Sequence, residues 1–344
     1  MSYHLPAEWH NQSAVLLTWP HENTDWLPWL AEIESVYIEL SKAITRFQLL
    51  VIACHDHEIK TRVTELLTKN KVKLNQVRLF IAPCNDTWAR DHGPITLVDE
   101  QGQLFIQDYV FNAWGDKYAA NLDDKITEQM IQQPFCQFYQ YAKVDFILEG
   151  GSIESDGRGT LLTTETCLLN PNRNQALNKQ QIEQTLLDSL GKQRVIWLKH
   201  GRLTGDDTDA HIDTLARFAP EGIVYVSCSA PNDPHYNELK QMERELQSCT
   251  DAEGVPYKLF ALPWPAPIKN DDDELLPATY ANYLIINDAV LVPVYNDAND
   301  DRALNIIGQA HPEREIVPID CSTVIQQFGS LHCLTMQLPE NLIR

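Results

Sequence analysis

The stretch FILEGGSIESDGRGTLLTT, residues 146–164, contains two apolar runs separated by a turn rich in glycine and acidic residues. Each apolar run has the length of a β-strand, and the glycines allow a tight connection between them. The same order recurs in LFIAPCNDTWARDHGPITLV (79–98), VIWLKHGRLTGDDTDAHIDTLARF (195–218) and YLIINDAVLVPVYND (283–297). The second strands begin near residues 95, 161, 223 and 291. This recurrence is consistent with either a pseudo-symmetric ring of ββαβ modules or an ordinary mixed-sheet domain.

Between these stretches the apolar spacing predicts amphipathic helices. After Pro28, apolar residues recur from Leu30 to Phe47 at the spacing of one helical face, and weaker patterns of the same kind follow. These weaker helices are predicted at 58–69, 176–190 and 235–248. Strands are predicted at 14–19, 49–54, 77–82, 103–111, 144–148, 160–164, 194–198, 223–227, 283–286 and 290–295. Helices and strands alternate throughout without a flexible linker, which favours an α/β protein with a single domain over residues 1–344.

The composition limits the class of partner. The chain has 344 residues, 44% of them hydrophobic, and a formal net charge of −21 from 27 basic and 48 acidic residues. Such a surface repels nucleic acid and anionic membranes, whereas it attracts cationic ligands. Acidity for solubility alone is the alternative explanation.

The cysteines and the N-terminal segment predict the compartment. The eight cysteines lie at positions 54, 84, 136, 167, 228, 249, 321 and 333, without a CxxC or a zinc-knuckle pair. The first residues, MSYHLPAEWHNQSAVLLTWP, lack a basic segment followed by an apolar one, and no apolar run would span a membrane. We therefore expect a cytoplasmic chain with reduced thiols and no structural zinc site.

An alternating acidic segment is the first candidate site. Asp207, Asp209, His211 and Asp213 would share one face if GDDTDAHID were extended. Such a face is suited to binding a divalent metal, or to holding a cationic substrate beside an acid/base histidine. A solvated acidic loop is the alternative. The acidic runs 271–274 and 297–301 lack the glycine of a calcium loop and are expected to be solvated.

Three further residues are individually ambiguous. Asp91 follows Arg90 and could simply pair with it, Glu149 ends an apolar strand before two glycines, and Cys333 follows a glycine that could expose it. Most single cysteines are small buried hydrophobes. Together with His211 these residues suit one reaction, because two carboxylates can hold a planar guanidinium while a thiol attacks its carbon.

The order of four sequence motifs indicates one enzyme family. WARDHGP, EGGSIESDGRGTLLTTETCLLNPNRN, DDTDAHID and GSLHC extend over most of the chain and resemble the agmatine deiminase and bacterial-type peptidylarginine deiminase family of guanidino-modifying enzymes. The resemblance implies a pentein fold, an α/β propeller of five ββαβ modules around a pseudo-fivefold axis. It also implies hydrolysis of agmatine, a small cationic guanidino compound, without a metal or other cofactor.

The resemblance assigns roles to the candidate residues. It implies that Cys333 is the nucleophile, that His211 is the general acid and base, and that Asp91 and Asp213 hold the guanidinium. Glu149 would orient His211 and maintain its protonation state. The predicted substrate-binding residues are Trp88, which would line the tunnel, Asp207, which would contact the distal amine, and Gly329, which would lie at the tunnel mouth.

Two departures from the family pattern concern specificity. Gln327 and Phe328 precede Gly329 where the family often has further glycines, and Thr214 replaces a common asparagine after the HxD aspartate. A deiminase acting on arginine-terminal peptides or another guanidino compound is therefore an alternative, and a non-catalytic divalent-metal-binding module is an alternative of another class. The oligomeric state is left open.

Overall fold

The computed structural model describes residues 2–344, in which helices and strands alternate along the chain. The strands are β1 (Gln12–Thr18), β2 (Leu49–Cys54), β3 (Val77–Ile81), β4 (Ile95–Val98), β5 (Leu104–Val110), β6 (Gln140–Ile147), β7 (Glu154–Ser155), β8 (Thr160–Thr164), β9 (Arg194–Leu198), β10 (Ala216–Ala219), β11 (Gly222–Val226), β12 (Leu259–Leu262), β13 (Ile268–Lys269), β14 (Leu275–Leu276), β15 (Leu284–Ile285), β16 (Ala289–Val294), β17 (Glu315–Asp320) and β18 (Thr335–Pro339). The helices are α1 (Leu30–Ile44), α2 (His57–Lys69), α3 (Ala89–His92), α4 (Ala113–Asp116), α5 (Ile126–Ile131), α6 (Glu165–Leu168), α7 (Lys179–Leu190), α8 (Tyr236–Ser248) and α9 (Asp300–Ala310). The α/β class is confirmed.

Five sheets share one topology. In the sheets β4-β5-β6, β7-β8-β9, β10-β11-β12 and β15-β16-β17, an antiparallel pair is followed by a helix and then by a strand parallel to the second. The sheet β18-β1-β2-β3 contains the same order in β18-β1-β2, with the last strand of the chain antiparallel to the first, and it adds β3 parallel to β2. The ββαβ recurrence is therefore present, and the arrangement of these sheets around an axis remains a prediction.

The long helices bury the faces that their apolar spacing predicts. In α1, Ile33, Tyr37, Leu40 and Ile44 are fully buried and belong to the main core cluster. That cluster also contains Leu239 of α8 and Ile307 of α9, and it fills the space between these helices and the sheets that they cover. No helix of residues 2–344 is long and apolar enough to cross a membrane.

The acidic run 297–301 is partly solvated: Asp301 is exposed, whereas Asp297 and Asp300 are partly buried. Asp300 and Asp301 form the first turn of α9, where negative charge is favourable because the helix amides are unpaired there. Asp300 Oδ1 accepts the hydroxyl proton of Tyr280, and its other oxygen accepts the amide of Asp297. The run therefore begins a helix, whereas residues 271–274 are exposed as expected.

Candidate active site

Cys333 lies in the turn that precedes β18 and is buried. Its Sγ atom is 3.4 Å from Oδ1 of Asn282 and 3.9 Å from Oδ2 of Asp213. The same Asn282 oxygen accepts the backbone amide of His332 at 3.0 Å, so Asn282 fixes the backbone of the turn. Burial, with the negative charges of Asp213 and Asp91, raises the pKa of the Cys333 thiol well above its ordinary value.

Asp91 lies in the short helix α3 and is buried beside the turn that contains Cys333. Its carboxylate accepts the indole N–H of Trp114 and the backbone amide of Gly151, both at 3.0 Å. Arg90 does not pair with it, because the Arg90 guanidinium donates to the side chain of Gln337. Burial raises the pKa of Asp91 to about 6, because the neutral donors and the nearby His211 offset the effect of burial only in part.

Asp213 is fully buried in the turn Ile212–Thr214. His332 Nδ1 donates to its Oδ2 at 2.8 Å, and His332 Nε2 lies 2.8 Å from Oε2 of Glu8 and 3.0 Å from Nη2 of Arg217. Burial acts to raise the pKa of Asp213, but the hydrogen bond and charge of His332, together with the charges of His211 and Arg217, outweigh this effect, and the pKa falls below its ordinary value. Asp213 is therefore a permanently charged group at neutral pH.

His211 is fully buried, and neither of its ring nitrogens has a hydrogen-bond partner among residues 2–344. Its Nδ1 lies 3.7 Å from Oδ1 of Asp91. Burial favours the neutral ring, but the negative charges of Asp91 and Glu149, with the interaction of the ring with the Cys167 side chain, outweigh it and raise the His211 pKa well above its ordinary value. A buried imidazole with unused donors and acceptors is suited to exchange protons with a ligand.

Glu149 does not form the hydrogen bond to His211 that its expected orienting role suggests. Both of its oxygens accept from Nε of Arg173, at 2.9 and 3.0 Å, and both side chains are fully buried. A carboxylate oxygen of Glu149, the Cys167 sulfur and a ring nitrogen of His211 nevertheless lie within 4.8 Å of one another. Glu149 therefore acts on His211 through its charge, which also helps to raise the His211 pKa.

The segment 207–213 is not extended, so the expectation of one shared face is wrong. Asp209 and Ala210 adopt left-handed backbone angles, with φ of 67° and 66°. The turn directs Asp213 towards the thiol, while Asp209 pairs with Arg173 and with Lys117 at 2.9 and 3.1 Å. Asp207 points elsewhere and accepts the hydroxyl proton of Tyr118 at 3.1 Å.

A cavity of about 440 Å³ contains most of the predicted substrate-facing residues. Its lining includes Trp88, Asp91, Asp207, Gly329 and Cys333. Three predicted residues lie behind this lining rather than on it: His211, Asp213 and Glu149. The structure thus brings Cys333, Asp91, Asp213 and His211 together at the inner end, and it places Asp207 and Gly329 farther out on the lining.

Two glycines allow close approaches in this cavity. A Cβ atom on Gly329 would lie 2.2 Å from the ring of Trp88, so only glycine fits at this position beside the indole. A Cβ atom on Gly151 would lie 2.6 Å from Nδ1 of His211 and 2.9 Å from Oδ1 of Asp91. The second glycine of the EGG motif therefore lets the backbone amide reach Asp91 beside His211.

Several contributors to the site have no distinct sequence signal. Trp114 binds Asp91, Asn282 holds the thiol turn, and Arg173 binds Glu149. Arg173 lies inside the motif stretch LLNPNRN, which draws attention to the segment but not to the pairing. Trp114 and Asn282 come from segments outside the quoted motifs, and only the tertiary structure brings them to the cavity.

Residues 4–339 match the model of the Porphyromonas-type peptidyl-arginine deiminase family. The chain belongs to this family. The agmatine deiminase of Stutzerimonas stutzeri is 32% identical over 99% of this chain and 97% of the relative, and that of Pseudomonas syringae pathovar tomato is 32% identical over 98% and 95%. Both relatives match this chain over almost their full length.

Solved structures are similar over the same extent. An agmatine deiminase from C. jejuni with substrate bound is 38% identical, with a TM-score of 0.90 over 99% of this chain and 97% of that one. The agmatine deiminase of Enterococcus faecalis is 29% identical, with a TM-score of 0.88 over 98% and 96%. An amidinotransferase from Microseira wollei is 12% identical with a TM-score of 0.52 over 100% and 99%, which indicates a shared fold alone.

Proposed function

We propose that the protein is an agmatine deiminase, a hydrolase that converts agmatine and water to N-carbamoylputrescine and ammonia. The observation that carries the proposal is the inner end of the cavity, where the thiol of Cys333 lies between two buried carboxylates and beside a histidine with free ring nitrogens. Two carboxylates match the donor edges of a guanidinium, and they leave its central carbon open to sulfur. Deiminase relatives at about 32% identity over nearly the full length support the assignment.

The protein groups around Cys333 favour the thiol, and a bound guanidinium supplies the positive charge that stabilises the thiolate. The charges of Asp91 and Asp213 and burial all favour the thiol form of Cys333. A guanidinium held by these carboxylates places a positive charge beside the sulfur, which lowers the cost of ionisation. The thiol proton then leaves to solvent, so the nucleophile forms only when the substrate is in place.

The reaction follows from these positions. The Cys333 thiolate attacks the guanidinium carbon, and protonated His211 delivers its proton to the departing ammonia, leaving a covalent S-alkylthiouronium. Neutral His211 then takes a proton from water, and the resulting hydroxide adds to the same carbon. As this adduct collapses, its hydroxyl proton passes to the departing Cys333 sulfur, which releases N-carbamoylputrescine and restores the thiol. Asp91 and Asp213 position the cation throughout, while Glu149 stabilises the charged state of His211.

The outer lining of the cavity favours agmatine over free arginine. In the described chain, acidic side chains line it without any Lys or Arg: Asp25, Asp86, Asp207, Asp271, Asp272 and Glu274. The ammonium tail of agmatine suits this lining, with Asp207 and Trp88 as its expected contacts, whereas the carboxylate of arginine would lack a cationic partner. A peptide with an internal arginine also lacks that carboxylate and is the remaining alternative substrate.

The fold, the absence of a metal from the chemistry and the cellular location are part of the same proposal. We infer a single pentein catalytic domain over residues 1–344, with five ββαβ modules around a pseudo-fivefold axis, metal-free chemistry and a cytoplasmic location. The shared sheet order and the amidinotransferase similarity support the fold.

Ammonia release tests the substrate directly. Initial rates with agmatine, free arginine and an arginine-containing peptide should give the highest kcat/KM for agmatine and very little release from arginine. A preference for the peptide would replace the substrate assignment and keep the chemistry. No release from any guanidino compound would overturn the proposal.

A further inference from the structure

Three residues with metal-binding side chains meet at one edge of the sheet β18-β1-β2-β3. β1, β2 and β3 are parallel neighbours, so their carboxyl ends lie at the same edge. His21 follows β1, His55 follows β2 directly, and Cys84 follows β3. The parallel order therefore brings together residues that are distant in sequence and belong to none of the deiminase motifs.

The distances within this cluster suit a tetrahedral metal ion. Nε2 of His21 lies 3.5 Å from Sγ of Cys84, and Nδ1 of His55 lies 3.9 Å from the same sulfur. Zinc bonds of about 2.3 Å to sulfur and about 2.0 Å to nitrogen, at tetrahedral angles, place the two ligand atoms about 3.6 Å apart. The two imidazole rings are 4.2 Å apart, and one ligand atom from each residue lies within 4.8 Å of the others.

We propose that His21, His55 and Cys84 form a zinc-binding site separate from the deiminase cavity. Two imidazoles and one thiolate form a ligand set that selects Zn²⁺ over Mg²⁺ or Ca²⁺, and the fourth position is left for water. Binding exchanges the thiol proton of Cys84 for the metal ion and releases that proton to solvent. His55 also gives up the contacts of its Nδ1 with the backbone amide and the backbone carbonyl of Cys84, both at 3.1 Å.

The site has an access route and a rigid base. His21 and Cys84 are almost fully buried, while His55 is partly exposed and opens the cluster to solvent. The backbone on both sides is held by strand pairing, since the Trp19 amide donates to Ala53 and the Ala82 amide donates to Cys54. Metal binding therefore needs only side-chain adjustment.

Binding of Zn²⁺ alone tests the proposal in a Cys333→Ser background, which removes the thiol of the deiminase cavity. Equilibrium dialysis with metal analysis should give one Zn²⁺ per chain, and Co²⁺ should give a thiolate-to-metal charge-transfer absorption. Cys84→Ser and His21→Gln should each lose the ion. The matched control is Cys54→Ser, which removes a neighbouring buried thiol outside the cluster and should retain it.

A second cluster of metal-binding side chains is the competing site for the zinc ion. Glu149, Cys167 and His211 also bring ligand atoms within 4.8 Å of one another. If Zn²⁺ persists in Cys84→Ser but is lost in Cys167→Ser, or if the parent binds none at micromolar free Zn²⁺, the proposal is overturned. Circular dichroism checks the fold of each variant, and His55→Gln, at the partly exposed ligand, replaces any buried-site variant that fails to fold.

Discussion

The inner and outer ends of the cavity are built on different principles. At the inner end, Cys333, Asp91, Asp213 and His211 are buried, and both carboxylates are fixed by hydrogen bonds. At the outer end, acidic side chains on loops face a partly open space, and Asp207 has a single side-chain partner in Tyr118. In the proposed function, the inner end would therefore specify the reacting group by geometry, whereas the outer end would select the tail mainly by its charge.

The two inner carboxylates also differ from each other. Asp91 is held by the neutral donors Trp114 and Gly151, and burial raises its pKa to about 6. Asp213 is bound by His332, which is backed by Arg217, and its pKa is below the ordinary value. One side of the thiol thus carries a fixed negative charge, and the other carries a charge that depends on pH.

Replacement of the thiol should have the largest effect. We expect Cys333→Ala to reduce turnover by at least about 10⁴-fold because the covalent step is lost, while agmatine still binds between the carboxylates. Calorimetry should detect that binding, and mass spectrometry of a quenched wild-type reaction should show the adduct on the Cys333 peptide. An adduct on another cysteine, or substantial activity in the variant, would exclude the mechanism.

Neutralising either inner carboxylate should have the next largest effect. Asp91→Asn and Asp213→Asn should each lose about 2–5 kcal/mol of transition-state stabilisation, or about 30- to 5,000-fold in kcat/KM, because a buried charge-assisted contact becomes a neutral amide. Steady-state kinetics and thermal unfolding measure the two effects separately. Normal activity with a sharply lower unfolding temperature would show that the aspartates are structural.

The acid limb of the pH profile should report Asp91. A raised pKa means that Asp91 is ionised only above about pH 6, so kcat/KM for agmatine should fall by about tenfold per unit as the pH drops below that value. The pKa of Asp213 lies below its ordinary value, so the limb should persist in Asp213→Asn, but it should move to lower pH because the charge of Asp213 helps to raise the pKa of Asp91. An acid limb near pH 4 in the wild type would show that a carboxyl group with an ordinary pKa controls the limb. It would also remove the proposed difference between Asp91 and Asp213.

The sequence predicts the inner end better than the outer end. Cys333, Asp91, Asp213 and His211 occur in compact motifs, and the structure places them within one cluster. The detailed partners were not predictable, because Trp114, Asn282 and Arg173 reach the site only through long-range packing. The alternation of Asp207, Asp209 and His211 was misleading, since positive φ angles at residues 209 and 210 turn these side chains apart. For the fold, the ββαβ recurrence was predicted, but the helix α9 and six strands were not: β7, β10, β12, β13, β14 and β17.

Neutralising the outer end should have a moderate effect on binding alone. We expect Asp207→Asn to raise KM for agmatine by about two- to fivefold with little change in kcat, since a partly exposed ion pair contributes about 0.5–1 kcal/mol and lies away from the reacting carbon. Asp301→Asn removes the same charge from an exposed position on α9 and serves as the control. An equal change in both variants would attribute the effect to net charge, and a selective loss of kcat would place Asp207 in the chemistry.

Chelation should have the smallest effect, and it separates an organic-cation site from a metal module. Hard cations such as Mg²⁺ and Ca²⁺ need several converging oxygens, but Asp209 is bound by Arg173 and Lys117 while Asp207 and Asp213 point in different directions. Activity should therefore survive EDTA and dialysis, even if a zinc ion leaves the cluster of His21, His55 and Cys84, whose side chains do not line the cavity. Added Zn²⁺ should inhibit by capturing Cys333 and His211, with protection by agmatine. Loss of activity on chelation, restored by Mg²⁺, Mn²⁺ or Ca²⁺, would instead require the acidic segment to bind a metal during catalysis.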